Sequence, residues 1–160
     1  MSEGLITDEK YMRFKDADWF SNIPTSVVVA GVGGTGSWSA MLLARAGFYP
    51  ICFDSDSYER VNMAGQLVSK QQIGKTKVSA IAETIQNYCD MSITTFNEKI
   101  TNDTFVSSFI FSCFDNMKSR KILFENWRKI PDSENPLLID LRLSAERLQI
   151  FCVTKENKDR

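Results

Sequence analysis

An α/β fold, with a doubly wound and mainly parallel sheet carrying helices on both faces, is what the sequence predicts. Three observations predict it. Short apolar, β-branched runs alternate with longer helix-forming stretches along the chain. A cluster of glycines sits directly between the first run and the first helical stretch, and the second run ends in two acidic residues, Asp54 and Asp56. In such sheets the ligand lies beyond the carboxyl ends of the strands, so functional residues are expected to gather there.

The elements follow in order. Ser26 to Gly31 (SVVVAG) is a continuous β-branched run, as expected of a strand buried on both faces. The helix formers of Ser37 to Ala46 come next, with Gly47 at the place of a helix stop. Tyr49 to Phe53 is the second strand, and a polar segment runs from there to about Ile73. A helix over Thr76 to Tyr88 is supported by Val78, Ile81, Ile85 and Tyr88 at helical spacing. Met91 to Phe96 is the third strand, a short helical turn is expected near Thr104, and Ser108 to Cys113 is the fourth strand. Lys118 to Ile130 is a helix closed by Pro131, and Leu137 to Leu141 and Leu148 to Thr154 are the last two strands. This divides the chain into an N-terminal helical arm over 1–25, a Rossmann-like domain over 26–154 and a loose charged tail over 155–160.

Composition narrows the function. Basic and acidic residues number 19 and 20, a net charge of -1, so no basic surface marks the chain for nucleic acid or for a membrane. The four cysteines, Cys52, Cys89, Cys113 and Cys152, form no CxxC pair, and three lie in apolar runs, which favours packing over disulfides or zinc. The start, MSEGLITDEKYMRF, is too polar for a signal peptide, and no apolar run is long enough to span a membrane. The expected compartment is the cytoplasm.

Gly31, Gly33, Gly34 and Gly36, in GVGGTGS, allow a tight turn and let the backbone approach a phosphate, which the free amides of a helix N-terminus attract. Replacing Gly33 or Gly36 by a bulky residue is therefore expected to block nucleotide binding while leaving the fold intact. Asp54, at the end of the second strand, can accept hydrogen bonds from a ribose. These features fit a nicotinamide enzyme as well as an ATP enzyme. The segments that separate the two are DSDSYERVNMAGQLVSKQQIGKTK, from Asp54 to Lys77, and FSCFDNMKSRK further on.

These segments resemble the ThiF/MoeB and ubiquitin-activating-enzyme superfamily, whose pattern runs D-x-D, a spacer, N-L-x-R-Q, then G-x-x-K. Asp54, Asp56, Asn62, Gln66, Gly74 and Lys77 supply it in that order, and Asp115, Asn116 and Arg120 fit a later motif. The resemblance implies an adenylyltransferase that uses ATP and Mg²⁺ to activate a C-terminal carboxylate. Its partner would be a small carrier protein of ubiquitin-like fold ending in Gly-Gly. The four glycines, Asp54, Asp56, Asn62, Gln66, Lys77 and Asn116 would hold the nucleotide, Asp115 would hold the metal, and Lys77, Asp115 and Arg13 would serve the reaction. Arg13 resembles an arginine lent to the ATP site of a neighbouring subunit, which implies a homodimer or heterodimer.

Each of these residues also has a plainer role open to it. Lys77 can be a surface lysine, Asp115 a helix N-cap, Arg13 a solvated terminal residue, and Asn62 and Gln66 can order their own loop. Gly65 stands where the family pattern has an arginine, so a cation is missing unless Arg60 or Lys70 replaces it. The sequence stops soon after Val153, without the zinc-binding pair or catalytic cysteine of larger relatives, so neither zinc nor a thioester step is expected. IDLRLSAERLQIFCV resembles versions of the family found in bacteria and their phages. A non-catalytic binding or dimerisation module is the alternative that Gly65 favours. A nicotinamide oxidoreductase is the third possibility, opposed by the downstream pattern and by the absence of histidine.

Overall fold

The computed structural model describes residues 9–21 and 26–157. Parts of the expected arm (1–8 and 22–25) and tail (158–160) lie outside the described residues. The rest of the arm holds a 3-10 turn, Glu9–Tyr11, and a short helix α1, Asp18–Ser21. Tyr11 is buried, and its hydroxyl donates to the Ala44 carbonyl at 3.4 Å. The tail begins fastened, because Lys155 Nζ donates to the Arg128 carbonyl at 2.8 Å and lies over the Trp127 ring.

One six-stranded sheet has the order β3-β2-β1-β4-β5-β6. Its strands are β1 (Ser26–Ala30), β2 (Tyr49–Phe53), β3 (Thr94–Phe96), β4 (Phe109–Ser112), β5 (Leu137–Leu143) and β6 (Leu148–Val153). β1 pairs in parallel with β2 and β4, β2 with β3 and β4 with β5, while β6 returns antiparallel along β5. The strand order reverses between β1 and β4, which is where sheets of this class open a crevice for a ligand.

Side chains alternate between two cores. Val29 and Cys52 face the helices α2 (Gly34–Arg45) and α3 (Lys77–Cys89), packing on Ala40, Ala44, Ile81 and Ile85. Val28, Ala30, Phe53 and Ile110 face the other way, against Leu123 and Trp127 of α4 (Met117–Arg128). Helices therefore cover both faces of the mainly parallel sheet, as the alternation of runs predicts.

The structure departs from the sequence expectation in two places. α2 begins at Gly34, three residues before the stretch of good helix formers, because packing against β1 overrides the poor helix propensity of glycine. β3 is shortened to Thr94–Phe96, while Met91 and Ile93 pack on the core ahead of it. The turn expected near Thr104 is a single one, closed by the Thr104 amide on the Thr101 carbonyl at 3.2 Å, and residues 97–108 otherwise cross from β3 to β4 without a helix; the Thr104 hydroxyl accepts from the Thr101 amide at 2.9 Å.

The cap of α4 falls on Asn116. Its Oδ1 accepts from the Ser119 amide at 2.9 Å, so Asp115 lies outside the helix and is not its cap. Asn116→Ala should lower stability by about 1 kcal/mol in urea unfolding, whereas Asp115→Ala should change it little. Equal losses would show that the two residues share the cap.

Candidate functional site

A cleft of about 750 Å³ opens at the carboxyl ends of β1, β2 and β4, at the point where the strand order reverses. Its floor is the turn after β1. Gly31 bends the chain with φ +91°, and the helix N-terminus follows at once. Gly33 stands at the N-cap with no side chain to bond the first turn, and no acidic residue lies in that turn. Amides at the start of α2 are thus left for an anion from outside the chain.

The glycines do two different things. A Cβ on Gly33 or Gly34 would meet nothing within 4 Å, so both keep the cleft open. A Cβ on Gly36 would lie 1.7 Å from the Gly31 carbonyl oxygen, and one on Gly31 would lie 3.0 Å from the Cys113 carbonyl oxygen. Gly36 is therefore a structural requirement for packing α2 on β1. That corrects the expectation that its replacement would leave the fold intact.

Asp54 braces this turn. Its Oδ2 accepts from the Val32 amide at 2.7 Å and its Oδ1 from the Asp56 amide at 2.9 Å. The Tyr58 hydroxyl, buried and with its pKa raised by that burial, stays protonated and donates to the Val32 carbonyl at 3.1 Å. Lys77 begins α3 and is buried; its Nζ lies 3.1 Å from Asp56 Oδ2 and 3.9 Å from Asp54 Oδ2. A buried ammonium is retained only with such partners, which rules out a freely solvated surface lysine.

Asp115 lines the opposite wall and is exposed. Its Oδ1 accepts from Asn116 Nδ2 at 3.1 Å. Arg120 fixes the turn that carries it, donating to the Phe114 carbonyl, to Asp140 and to the Leu141 carbonyl. An open carboxylate beside a place for phosphates suits Mg²⁺, which takes one or two carboxylates together with phosphate oxygens and water, and the exposed Glu98 lines the same cleft. Among the described residues, no group of three or more cysteine, aspartate or glutamate side chains forms a denser metal site.

The cleft brings together Gly31, Gly33, Gly34, Asp54, Asp56 and Gln66, and with them Lys77, Asp115 and Asn116. It does not bring in Asn62 or Arg13. Asn62 Oδ1 accepts from the Glu59 amide at 2.8 Å within a reciprocal capping box, so this side chain orders its own loop. Arg13 lies two residues beyond Tyr11, which is tied to Ala44 some 10 residues along α2 from Gly34, roughly 15 Å at the rise of a helix. Neither Arg60 nor Lys70 lines the cleft. Instead, Lys99 and Lys118 do, two cations that the motif pattern does not single out; their signal in the sequence is their place just past β3 and in the first turn of α4. Cys113 also faces the cleft, but burial pushes its thiol up to about 12, so at neutral pH it is an unreactive thiol rather than a thiolate.

The sequence pattern that defines the ThiF family matches residues 18–127. The chain belongs to that family. It is 35% identical over 113 residues to Ubiquitin-like modifier-activating enzyme 5 of Bombyx mori, a match covering 59% of this chain and 29% of that protein. The protein of the same name from Aedes aegypti is 34% identical over 137 residues, covering 69% and 34%. Among solved structures, PaaA superposes with a TM-score of 0.73 at 24% identity, covering 89% of this chain and 49% of that one. E. coli MccB, solved with AMPCPP and MccA, gives 0.72 at 17% identity, covering 94% and 50%. E. coli tRNA N6-threonylcarbamoyladenosine dehydratase, TcdA, in complex with ATP, gives 0.67 at 22% identity, covering 82% and 56%. The chain spans about a third of the length of these curated relatives and about half that of the solved neighbours.

The glycine geometry predicts a divergence between two like substitutions. Gly36→Ala should destabilise the fold by about 3 kcal/mol or more, because the clash is with backbone. Gly33→Ala should stay within about 0.5 kcal/mol of the parent. Thermal melting of the pair checks this, and a stable Gly36→Ala protein would refute it.

Proposed function

We propose that the cleft binds ATP with Mg²⁺ and that the chain activates the C-terminal carboxylate of a small ubiquitin-like or sulfur-carrier protein as an acyl-adenylate. One observation carries this. The uncapped N-terminus of α2, the buried ammonium of Lys77 and the open carboxylate of Asp115 line one cleft. A nicotinamide site needs the first of these and has no use for the other two. Family membership supports the reading, as do relatives named for activating ubiquitin-like modifiers, and TcdA and MccB crystallised with ATP and AMPCPP.

In the proposed reaction a carboxylate oxygen of the carrier attacks the α-phosphorus. The new carbon–oxygen–phosphorus linkage forms as the bond to the bridging oxygen breaks, and pyrophosphate leaves with the electron pair. Bringing a carboxylate to a triphosphate concentrates negative charge, so the chain's task is neutralisation and alignment. Amides of the first turn of α2 hold phosphate oxygens, and Lys77, oriented by Asp54 and Asp56, adds a fixed positive charge. Asp115 would hold Mg²⁺, whose charge further neutralises the phosphates when bound. A depression of about 310 Å³ shares Gly34 and Asp115 with the cleft and continues past Met117 to Arg142 and Leu143, offering a path for an extended carrier tail. We place Arg13 in the ATP site of a second subunit, in a homodimer or heterodimer, since it lies away from the cleft of its own chain.

The second reading is a non-catalytic module that keeps the fold for binding. Gly65 favours it, because no cation stands there.

Two measurements decide between these readings. Calorimetric titration should show ATP with Mg²⁺ binding at least about tenfold more tightly than NAD, a difference of roughly 1.4 kcal/mol; tighter binding of NAD would refute the nucleotide assignment. Asp115→Ala should lower carrier-dependent ATP–pyrophosphate exchange by about a hundredfold or more, while leaving ATP affinity and melting temperature close to the parent's. A parent chain that binds ATP yet exchanges no pyrophosphate with any Gly-Gly-ending carrier would leave the binding module in front.

A further inference from the structure

Among residues 60–66, Gln66 alone lines the cleft, and its side-chain oxygen is buried without a hydrogen-bond partner among the described residues. Its surroundings are otherwise committed. The Gln66 amide donates to the Asn62 carbonyl at 2.9 Å, and its own carbonyl accepts from the Val68 amide at 2.9 Å. On one side, the Gly65 carbonyl accepts from Trp38 Nε1 at 3.1 Å. On the other, the Leu67 amide donates to Ser37 Oγ at 3.0 Å, and that hydroxyl donates in turn to the Gly33 carbonyl at 2.7 Å. Two consecutive residues of α2, from the turn that offers its amides to the cleft, thus grip the backbone immediately before and after Gln66.

We propose that Ser37 and Trp38 are positioning residues, which dock the 65–67 backbone on the first turns of α2 so that the Gln66 carboxamide meets the bound nucleotide. This rests on the cleft being the ATP site. Two observations separate the role from plain packing. Ser37 is fully buried, yet its hydroxyl bridges the glycine turn and the Gln66 segment, so one atom sets the distance between two walls of the cleft. Trp38 is 48% exposed, so water could serve its N–H; burial does not force it onto the Gly65 carbonyl. With glycine at 65, no side chain reaches the cleft from that position. The polar contact of the segment falls to Gln66, and its aim depends on the grip.

The test is a double-mutant cycle read by ATP titration, joined to amide hydrogen exchange on the nucleotide-free chain. Ser37→Ala should speed exchange at the Leu67 amide. Ser37→Ala and Trp38→Phe should each weaken ATP binding about three- to tenfold when Gln66 is present, and have little further effect in Gln66→Ala. A merely structural role would move affinity equally in both backgrounds, and that outcome would overturn the proposal. Normal ATP binding by the parent together with unchanged Leu67 exchange in Ser37→Ala would also overturn it, while leaving the ATP reading intact. A parent chain that binds no ATP would overturn both. Because Trp38 lies at the surface, Trp38→Phe keeps the cycle readable should Ser37→Ala fail to fold.

Discussion

The approach of Gly36 to the Gly31 carbonyl is the constraint on which the rest of the site depends. With any other residue at position 36, the third of α2, the helix could not lie this close to the end of β1, because the added carbon would sit 1.7 Å from the Gly31 carbonyl oxygen. The close approach carries the first turn of α2 to the point where the strand order reverses, with its amides directed into the cleft. Everything that stabilises the turn is then drawn from downstream sequence. Asp54 takes the Val32 amide, Tyr58 donates to the Val32 carbonyl, and Ser37 ties the Gly33 carbonyl to Leu67. The turn therefore does not behave as an independent motif. It is a short backbone segment held in place by β2 and by the loop that follows it.

Charge inside the cleft follows from the same arrangement. Asp54 and Asp56 would repel an incoming phosphate if they stood alone, but Asp54 is engaged by two backbone amides, one on each oxygen, and Lys77 lies close to both carboxylates. The acidic pair works as a holder for the ammonium. Lys77 keeps its position because two carboxylates flank it, and only the loss of both would leave its buried charge uncompensated. The cost of this scheme is that one cation is largely balanced before any ligand arrives. On the proposed ATP reading, the helix N-terminus, the carboxamide of Gln66 and the cleft lysines Lys99 and Lys118 would share the phosphate recognition that the family pattern gives partly to an arginine at position 65.

Much of this was legible in the sequence, and the failures share a physical cause. The parallel strands could be read because burial on both faces demands uninterrupted apolar runs, and the cleft residues because glycines and strand-end carboxylates fall at fixed places in such sheets. Propensity misplaced the start of α2, since it scores Gly34 and Gly36 against a helix that tertiary contact imposes. Spacing could not tell Asp115 from Asn116 as the cap, because either side chain is chemically suited and only the backbone path decides. Spacing also could not show that Asn62 lies off the cleft: its Oδ1 accepts from the Glu59 amide three residues away, a local bond that competes with any ligand. Lys99 and Lys118 carry no motif at all. They become cleft residues only through the crossover from β3 and the docking of α4.

Gly65 concentrates these arguments in one position. Its φ of -135° is open to any residue, and a Cβ there would meet nothing within 4 Å, so neither backbone strain nor crowding at the Cβ explains the glycine. The chain does without the arginine that the family pattern has at this position. What the position does provide is its carbonyl, which receives the Trp38 indole and thereby fixes the residue that follows. A long cation at 65 would reach towards the ligand by itself and would make the aim of Gln66 secondary. Without one, the proposed recognition would pass from a mobile charge to a carboxamide whose backbone is held by Ser37 and Trp38, and the precision of the site would rest on the first two turns of α2.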